Sequence, residues 1–234
     1  MYQKLPLLNV IAFIGLIIIN FLAVQLPFFG KAPGDVSDLY PNLLTPADFT
    51  FKIWSFVYLF LGIFVYHQYQ FLRLRDTTIA REVSTIGYLF LGSCILNICW
   101  LLAWQSLHIV LSFGCIFVLW LVLIGIYYKL AKLENARWQY VIPFSIYLAW
   151  ICVAALASLN VLLIELEFNF FNLTEEYWTA TLVGIVICGT LLVLYLNQDI
   201  WFTMVLIWAF FGIYTKNKQM TTDDNSVIFM SLLA

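Results

Sequence analysis

Seven long runs of apolar residues divide the chain, and short polar segments separate them. In a bilayer every backbone polar group must be bonded within its own segment, so each run is predicted to be a transmembrane helix of about 20 residues. The runs cover residues 5–26, 51–72, 85–105, 109–130, 140–164, 178–196 and 200–214. The pattern therefore predicts an all-α integral membrane protein with seven transmembrane helices.

Two connections between the runs carry structural information. Only residues 197–199 separate the last two runs, which predicts a tight hairpin with Asp199 as the N-cap of the final helix. A single bent span that merges both runs is the alternative. The first connection, residues 27–50, contains four prolines, which favour a fixed, non-helical loop. Loops of this length are often lids or binding elements, and a plain connector is the alternative.

Composition limits the classes of function. Of the 234 residues, 64% are apolar and 10% are charged, against about 45–50% and about 25% in a typical soluble domain. This balance excludes a soluble globule, a disordered chain and a nucleic-acid-binding protein. Because charges are nearly absent inside the predicted spans, the pattern also argues against ion coupling and acid–base catalysis.

Neither a metal site nor a catalytic residue is predicted. The five cysteines lie within apolar runs, where cysteine commonly acts as a small hydrophobe, with metal or disulfide chemistry as the alternative. His67 and His108 are expected on opposite sides of the membrane, too far apart to share a metal ion. No span pairs a Ser or Cys with an acid or base as a hydrolase requires.

The basic residues predict the orientation. With seven spans, the side that carries the N-terminus holds seven Lys and Arg residues, and the other side holds four. The first group is Lys4, Arg73, Arg75, Arg81, Lys129, Lys132 and Arg137. Cytoplasmic connections carry the excess of basic residues, so the N-terminus is predicted to be cytoplasmic.

Aromatic and amide side chains recur at helical spacing. Trp54 and Tyr58 share one face of the second span, and Asn97, Trp100 and Trp104 share one face of the third. Interfacial anchoring and close helix packing explain any one of these residues equally well. Taken together, they suit an aromatic-lined cavity for a large, flat, mostly apolar ligand.

Four motifs resemble those of the TspO/MBR family of tryptophan-rich sensory proteins and translocator proteins. These motifs are Pro46-Ala-Asp-Phe49 followed by Trp54-x₃-Tyr58-x₃-Gly62, then Asn97-x₂-Trp100, then Trp120, and finally Pro143 through Trp150, Ala154 and Asn160. The resemblance covers roughly residues 5–164 and implies a five-helix bundle whose first loop closes a cavity. It also implies porphyrin, haem or sterol ligands, and roles in transport, sensing or light-dependent porphyrin breakdown.

The resemblance also assigns pocket residues. Carried over position by position, they are Trp54, Tyr58, Asn97, Trp100, Trp150 and Asn160. Trp104 is added because it shares the helical face of Asn97 and Trp100.

The chain departs from the family pattern after the fifth helix. We expect a TspO-like bundle over residues 1–164, an additional transmembrane hairpin over 165–215 and a polar tail over 216–234. That hairpin could dock a partner or replace the homodimer interface that occurs in the family.

The sequence favours a non-enzymatic sensor or transporter that binds a porphyrin-like or sterol-like ligand within the membrane. Its expected location is a bacterial inner membrane, with the lipid bilayer as its environment. No cofactor is obligatory, although a tetrapyrrole, haem or porphyrin, is an expected ligand. The alternatives are a structural or partner-binding membrane subunit and a membrane enzyme that degrades a tetrapyrrole or isoprenoid. A homodimer or a complex with another membrane protein is compatible with each of these functions.

Overall fold

The computed structural model describes residues 4–74, 77–133, 136–168 and 173–220. In these ranges the regular structure is helical, as predicted, and a 3₁₀ turn at Asp48–Lys52 leads into the third helix. The α-helices are α1 (Leu5–Gln25), α2 (Pro33–Asp38), α3 (Ile53–Leu74), α4 (Thr77–Ile86), α5 (Leu89–Gln105), α6 (Ile109–Ala131), α7 (Trp138–Glu165), α8 (Glu175–Asn197) and α9 (Ile200–Met220).

Several of these helices suit a bilayer. Within the described ranges, five segments are long and apolar enough to cross a membrane by length and composition. Four of them are the helices α1, α6, α7 and α8. The fifth is Asp48–Gln70, which joins the 3₁₀ turn to most of α3. The α5 helix is apolar but has 17 residues, and α9 is not among the five. The chain is thus a helical membrane bundle, whereas the predicted number of seven spans is not confirmed.

The predicted helix over residues 85–105 is wrong at its beginning. The chain breaks at Gly87, whose φ of +56° lies in the left-handed region, and α5 starts only at Leu89. The Gly87 amide donates to the carbonyl of Val83 at 2.9 Å, so glycine ends α4 in the manner of a helix C-cap. Apolar residues stand on both sides of this break, Ile86 before it and Leu89 after it, so the apolar run did not indicate a boundary.

Replacing Gly87 by Ala tests this cap. We expect the substitution to lower the free energy of unfolding by about 1 kcal/mol, because an L side chain is strained in the left-handed region. Gly92→Ala is the matched control, since a Cβ at Gly92 meets nothing within 4 Å. Unfolding in mixed detergent micelles, followed by circular dichroism, measures both variants. Equal stability of the two would contradict the assigned role of Gly87.

The α7 helix lies at the centre of the bundle and packs against α3, α6 and α9. Its buried aromatic residues include Tyr140, Phe144 and Trp150, each at most 2% exposed. Phe64 of α3 makes edge-to-face contacts with Phe144 and Tyr140, at centroid distances of 4.9 and 5.4 Å. Such pairs contribute beyond the area they bury, so they fix how α3 docks on α7.

The first connection is more ordered than the sequence indicates. The prediction of a non-helical loop is wrong, because residues 27–50 contain α2 and the start of the 3₁₀ turn. This connection bonds to the ends of later helices. The Tyr40 hydroxyl donates to Glu165 Oε2 at 2.9 Å, the Leu43 amide to Glu175 Oε1 at 3.0 Å, and Asn217 Nδ2 to the Leu43 carbonyl at 2.9 Å. The end of α7, the start of α8 and the end of α9 therefore meet at the first connection.

The predicted hairpin is confirmed, and the merged span is wrong. Gln198 adopts φ +52° between the two helices, and Asp199 Oδ1 accepts a hydrogen bond from the Phe202 amide at 3.1 Å, as an N-cap does. The α9 helix runs six residues beyond the predicted end, to Met220, so residues 216–220 are helical rather than part of a tail. Residues 221–234 of the predicted tail lie outside the described ranges.

Candidate functional site

Five aromatic rings from three helices meet inside the bundle, and we call them the aromatic cluster. They are Trp54 and Tyr58 of α3, Trp100 of α5, and Tyr147 and Trp150 of α7. Trp54 is central, because its ring contacts each of the other four at centroid distances of 5.3–6.3 Å. It stacks on Tyr58 with an interplanar angle of 21° and meets Trp150 edge to face at 84°.

Helical periodicity explains how the cluster assembles. Trp54 and Tyr58 are four residues apart, and Tyr147 and Trp150 are three apart, so each pair lies on one face of its helix. Four predicted pocket residues are thus brought together, namely Trp54, Tyr58, Trp100 and Trp150. Sequence reasoning missed Tyr147, although its spacing from Trp150 could have indicated it.

Three polar atoms inside the cluster have no hydrogen-bond partner. They are the Tyr58 hydroxyl and the indole Nε1 atoms of Trp100 and Trp150, all buried. A buried donor without a partner costs about 1–3 kcal/mol. Because buried polar groups normally find partners, three such atoms on adjoining rings can bind the acceptor groups of a ligand that enters between the rings.

Asn97 holds the edge of the cluster in place. Its Oδ1 accepts from Asn20 Nδ2 at 3.2 Å, and its Nδ2 donates to the Tyr147 hydroxyl at 3.0 Å. The predicted pocket residue Asn97 therefore joins α1, α5 and α7 through its own amide. Hydrogen bonds between helices are worth about 0.6 kcal/mol on average in membrane proteins, so this contribution is mainly to position Tyr147.

The other two predicted pocket residues lie outside the five rings. Trp104 Nε1 donates to the Pro33 carbonyl at 3.0 Å, and its ring packs against Val36 and Val161. Asn160 is fully buried, and neither its Nδ2 nor its Oδ1 has a partner. Trp104 thus anchors the first connection, and Asn160 precedes Val161 near the same end of α7.

The 3₁₀ turn at the end of the first connection reaches the aromatic cluster. Phe51 in the 3₁₀ turn meets Trp150 edge to face at 6.2 Å. Gln105 Nε2 donates to the carbonyls of both Ala23 and Lys31 at 2.9 Å, which fixes the beginning of the connection. Burial and the hydrogen bond to Glu165 raise the pKa of Tyr40 above its ordinary value.

The last helix also holds the first connection, which sequence reasoning did not foresee. Trp208 Nε1 donates to the Thr50 carbonyl at 3.0 Å, and the Ala47 amide donates to the Gly212 carbonyl at 3.1 Å. Phe49 packs edge to face on Trp208 at 5.4 Å. The α9 helix is therefore part of the structure that covers the aromatic cluster.

The described residues contain no group of three His, Cys, Asp or Glu side chains that could hold a metal ion. His67 contacts the Tyr140 hydroxyl at 3.3 Å near the start of α7, whereas His108 contacts Ser106 at the start of α6. The two histidines thus lie at opposite ends of the bundle, as expected from the sequence.

Comparison with known proteins identifies the family. A family model described as "TSPO-like protein" matches residues 6–234, which includes α8, α9 and the segment after them. No curated protein and no solved structure is similar enough to the chain to count as a match. The family resemblance inferred from the motifs is confirmed. The match runs without interruption across residue 164, and the domain boundary predicted at that residue stays a prediction.

Proposed function

The chain belongs to the TSPO-like family, and from that premise we propose that it binds a flat, hydrophobic ligand between the rings of the aromatic cluster. The ligand class is a tetrapyrrole or a sterol, and the protein acts as a sensor or transporter rather than as an enzyme. The aromatic rings supply the faces on which such a ligand stacks. The first connection and the 3₁₀ turn that follows from it, with Phe51 against Trp150, act as the lid.

The three unpartnered donors carry this proposal. A core built only for stability would leave few buried polar atoms without a partner, yet three of the five ring systems contain one. A ligand with carbonyl, carboxylate or ring-nitrogen acceptors would satisfy them. Its entry requires the Trp54 ring to move, and this side chain is only partly buried.

We place all seven long helices across the membrane, with the N-terminus in the cytoplasm of a bacterial cell. Hydrogen bonds from the first connection to the end of α7, the start of α8 and the end of α9 support this placement. If successive helices cross the membrane in alternating directions, these three helix ends lie on the same side as the first connection. The basic residues Lys129 and Arg137 lie at the opposite end, near α4, where Lys129 Nζ donates to the Thr85 carbonyl at 3.4 Å. An excess of basic residues on that side favours a cytoplasmic location for it.

Titration with protoporphyrin IX tests the ligand site. We expect Trp54→Ala and Trp150→Ala each to weaken binding about fivefold or more, since each removes a stacking face worth about 1 kcal/mol. The measurement is quenching of tryptophan fluorescence by the porphyrin in detergent micelles. Trp120→Ala is the matched control, because its Nε1 is bonded to Cys152 at 3.0 Å and its ring is not in the cluster.

Two outcomes of this titration count against the proposal. If both cluster variants bind as tightly as the parent, the assignment of the site is wrong. If the porphyrin is consumed during incubation, in light or in darkness, the enzyme alternative replaces the sensor or transporter.

A further inference from the structure

A cavity lies at the end of the bundle away from the first connection. Its volume is about 580 Å³, and it is bounded by the end of α6, the start of α7 and the turn between α8 and α9. This volume lies within the range of about 300–1,000 Å³ that is typical of small-molecule sites. The residues that line it include Tyr127, Trp138, Ile142, Asn197, Asp199 and Trp201.

The charged group of this cavity is Asp199, which is only 9% exposed. Its carboxylate accepts hydrogen bonds from the Tyr127 hydroxyl at 2.8 Å and from the Phe202 amide at 3.1 Å. The Ser145 hydroxyl also donates to this carboxylate, and its Oγ lies 2.7 Å from each of the two carboxylate oxygens. All of these donors are neutral. Among the residues that the structure describes, no Lys, Arg or His forms an ion pair with Asp199.

A carboxylate that is nearly buried and lacks a cation is unusual, because such groups are normally paired. Helix capping accounts for only part of this arrangement. Asn or Ser would cap α9 about as well as Asp, and neither brings a charge into the bundle. The cap also gives no reason for an open cavity beside the carboxylate. The charge and the cavity are explained together if a cation from outside the chain occupies the site.

The walls of the cavity indicate what kind of cation fits. Trp138 and Trp201 are exposed at 52% and 40%, and both line the cavity that contains Asp199. Indole faces attract ammonium groups, and the attraction increases when the cation is partly removed from water. Ile142, Leu196 and Ile200 add an apolar surface on which a hydrocarbon chain can lie.

We propose that this cavity binds an organic ammonium group carried on an apolar chain, with Asp199 as its counter-ion and Trp138 and Trp201 as its walls. The ammonium can belong to the headgroup of a bilayer phospholipid or to a free amine. This site is separate from the aromatic cluster, so the proposal does not rest on the ligand proposed there.

Three six-carbon probes that differ in charge test whether binding in this cavity requires a positive charge. The full-length protein in maltoside micelles, whose headgroup is uncharged, is titrated calorimetrically with hexylammonium, hexanol and hexanoate. We expect hexylammonium to bind at least about tenfold more tightly than the other two, because only its charge complements the carboxylate. Equal binding of hexylammonium and hexanol by the parent protein would overturn the proposal without the need for any variant.

Two variants then assign the preference to Asp199. In Asp199→Asn the cap is kept and the charge is removed, so hexylammonium should bind no better than hexanol. Ser145→Ala is the matched control, since it removes a donor to the same carboxylate but keeps the charge, and it should retain the preference. A preference that survives in Asp199→Asn would overturn the assignment.

The source of the ammonium is distinguished by competition. Phosphatidylethanolamine is added to the micelles in one experiment and phosphatidylglycerol in another before titration with hexylammonium. Loss of hexylammonium binding with phosphatidylethanolamine alone supports a lipid headgroup as the natural occupant. Unchanged binding with both lipids supports a free amine.

Discussion

Replacing Asp199 by Ala is expected to lower the free energy of unfolding by about 3 kcal/mol. The substitution leaves the Tyr127 hydroxyl, the Ser145 hydroxyl and the Phe202 amide without their common acceptor. These three groups belong to α6, α7 and α9, so one carboxylate joins the last helix to two helices of the bundle core. Loss of an N-cap alone costs about 1 kcal/mol, and the two unsatisfied hydroxyls add the remainder.

Unfolding by sodium dodecyl sulfate in mixed micelles, followed by circular dichroism, measures this effect. Asp199→Asn should cost no more than about 1 kcal/mol, because asparagine still caps the helix and its amide oxygen still accepts from Ser145. Comparing Asp199→Ala with Asp199→Asn separates the contribution of the hydrogen bonds of Asp199 to stability from the contribution of its charge. If Asp199→Ala unfolds at the same detergent ratio as the parent protein, the α8–α9 turn does not depend on this carboxylate.

The sequence contains the information that specifies this turn, because its signal is local. The polar residues 197–199 interrupt a long apolar segment, and an Asp at the start of the next run is a preferred cap. The signal that places two residues on one helix face is also local, because it depends only on their spacing. It applies to Trp54 with Tyr58 and to Asn97 with Trp100. For this reason the long helices and most of the aromatic cluster could be predicted from the sequence, whereas α2 and α4 were not.

Other features could not be predicted, because they depend on contacts between distant segments. The contact of Tyr147 with Trp54 is one of them: its spacing from Trp150 indicates a shared helix face, but in a bilayer apolar residues face both lipid and core, so periodicity does not show what that face meets. Trp104 shares a helical face with Trp100, yet it meets Pro33 rather than the other rings. The bond from Trp208 to Thr50 joins residues 158 positions apart.

Gly87 represents a third case, in which the apolar pattern conceals a boundary. The apolar run extends from Ile86, the last residue of α4, into α5, while the backbone turns at a single left-handed glycine. Glycine adopts this conformation with almost no steric cost, but it does so only when the flanking helices require it. The residue type permits the break, and the packing of α4 against α6 and α3 determines that it occurs.

Replacing Gly212 by Ala is expected to lower the free energy of unfolding by about 2–3 kcal/mol and to loosen the first connection. A Cβ at this position would overlap the side chain of Thr50, with Thr50 Cγ2 at 2.8 Å and Thr50 Cβ at 2.9 Å. Thr50 is fully buried and branched at Cβ, so it cannot move aside as a long side chain would. The Ala47 amide bonds to the Gly212 carbonyl beside this contact, at 3.1 Å, and would be displaced with it.

Detergent-induced unfolding and limited proteolysis of residues 27–50 measure the two effects of Gly212→Ala. Gly189→Ala in α8 is the matched control, because a Cβ there meets nothing within 4 Å, and we expect it to leave stability unchanged or to raise it by up to about 1 kcal/mol. Adding Thr50→Ala to Gly212→Ala should restore part of the loss, since it removes Oγ1 and Cγ2 from the overlap. If Gly212→Ala resists unfolding and proteolysis as well as the control, α9 does not hold the first connection. If the loss and its rescue are both observed, the last helix is required to hold the lid over Trp150, because Phe51 follows Thr50 directly in the chain.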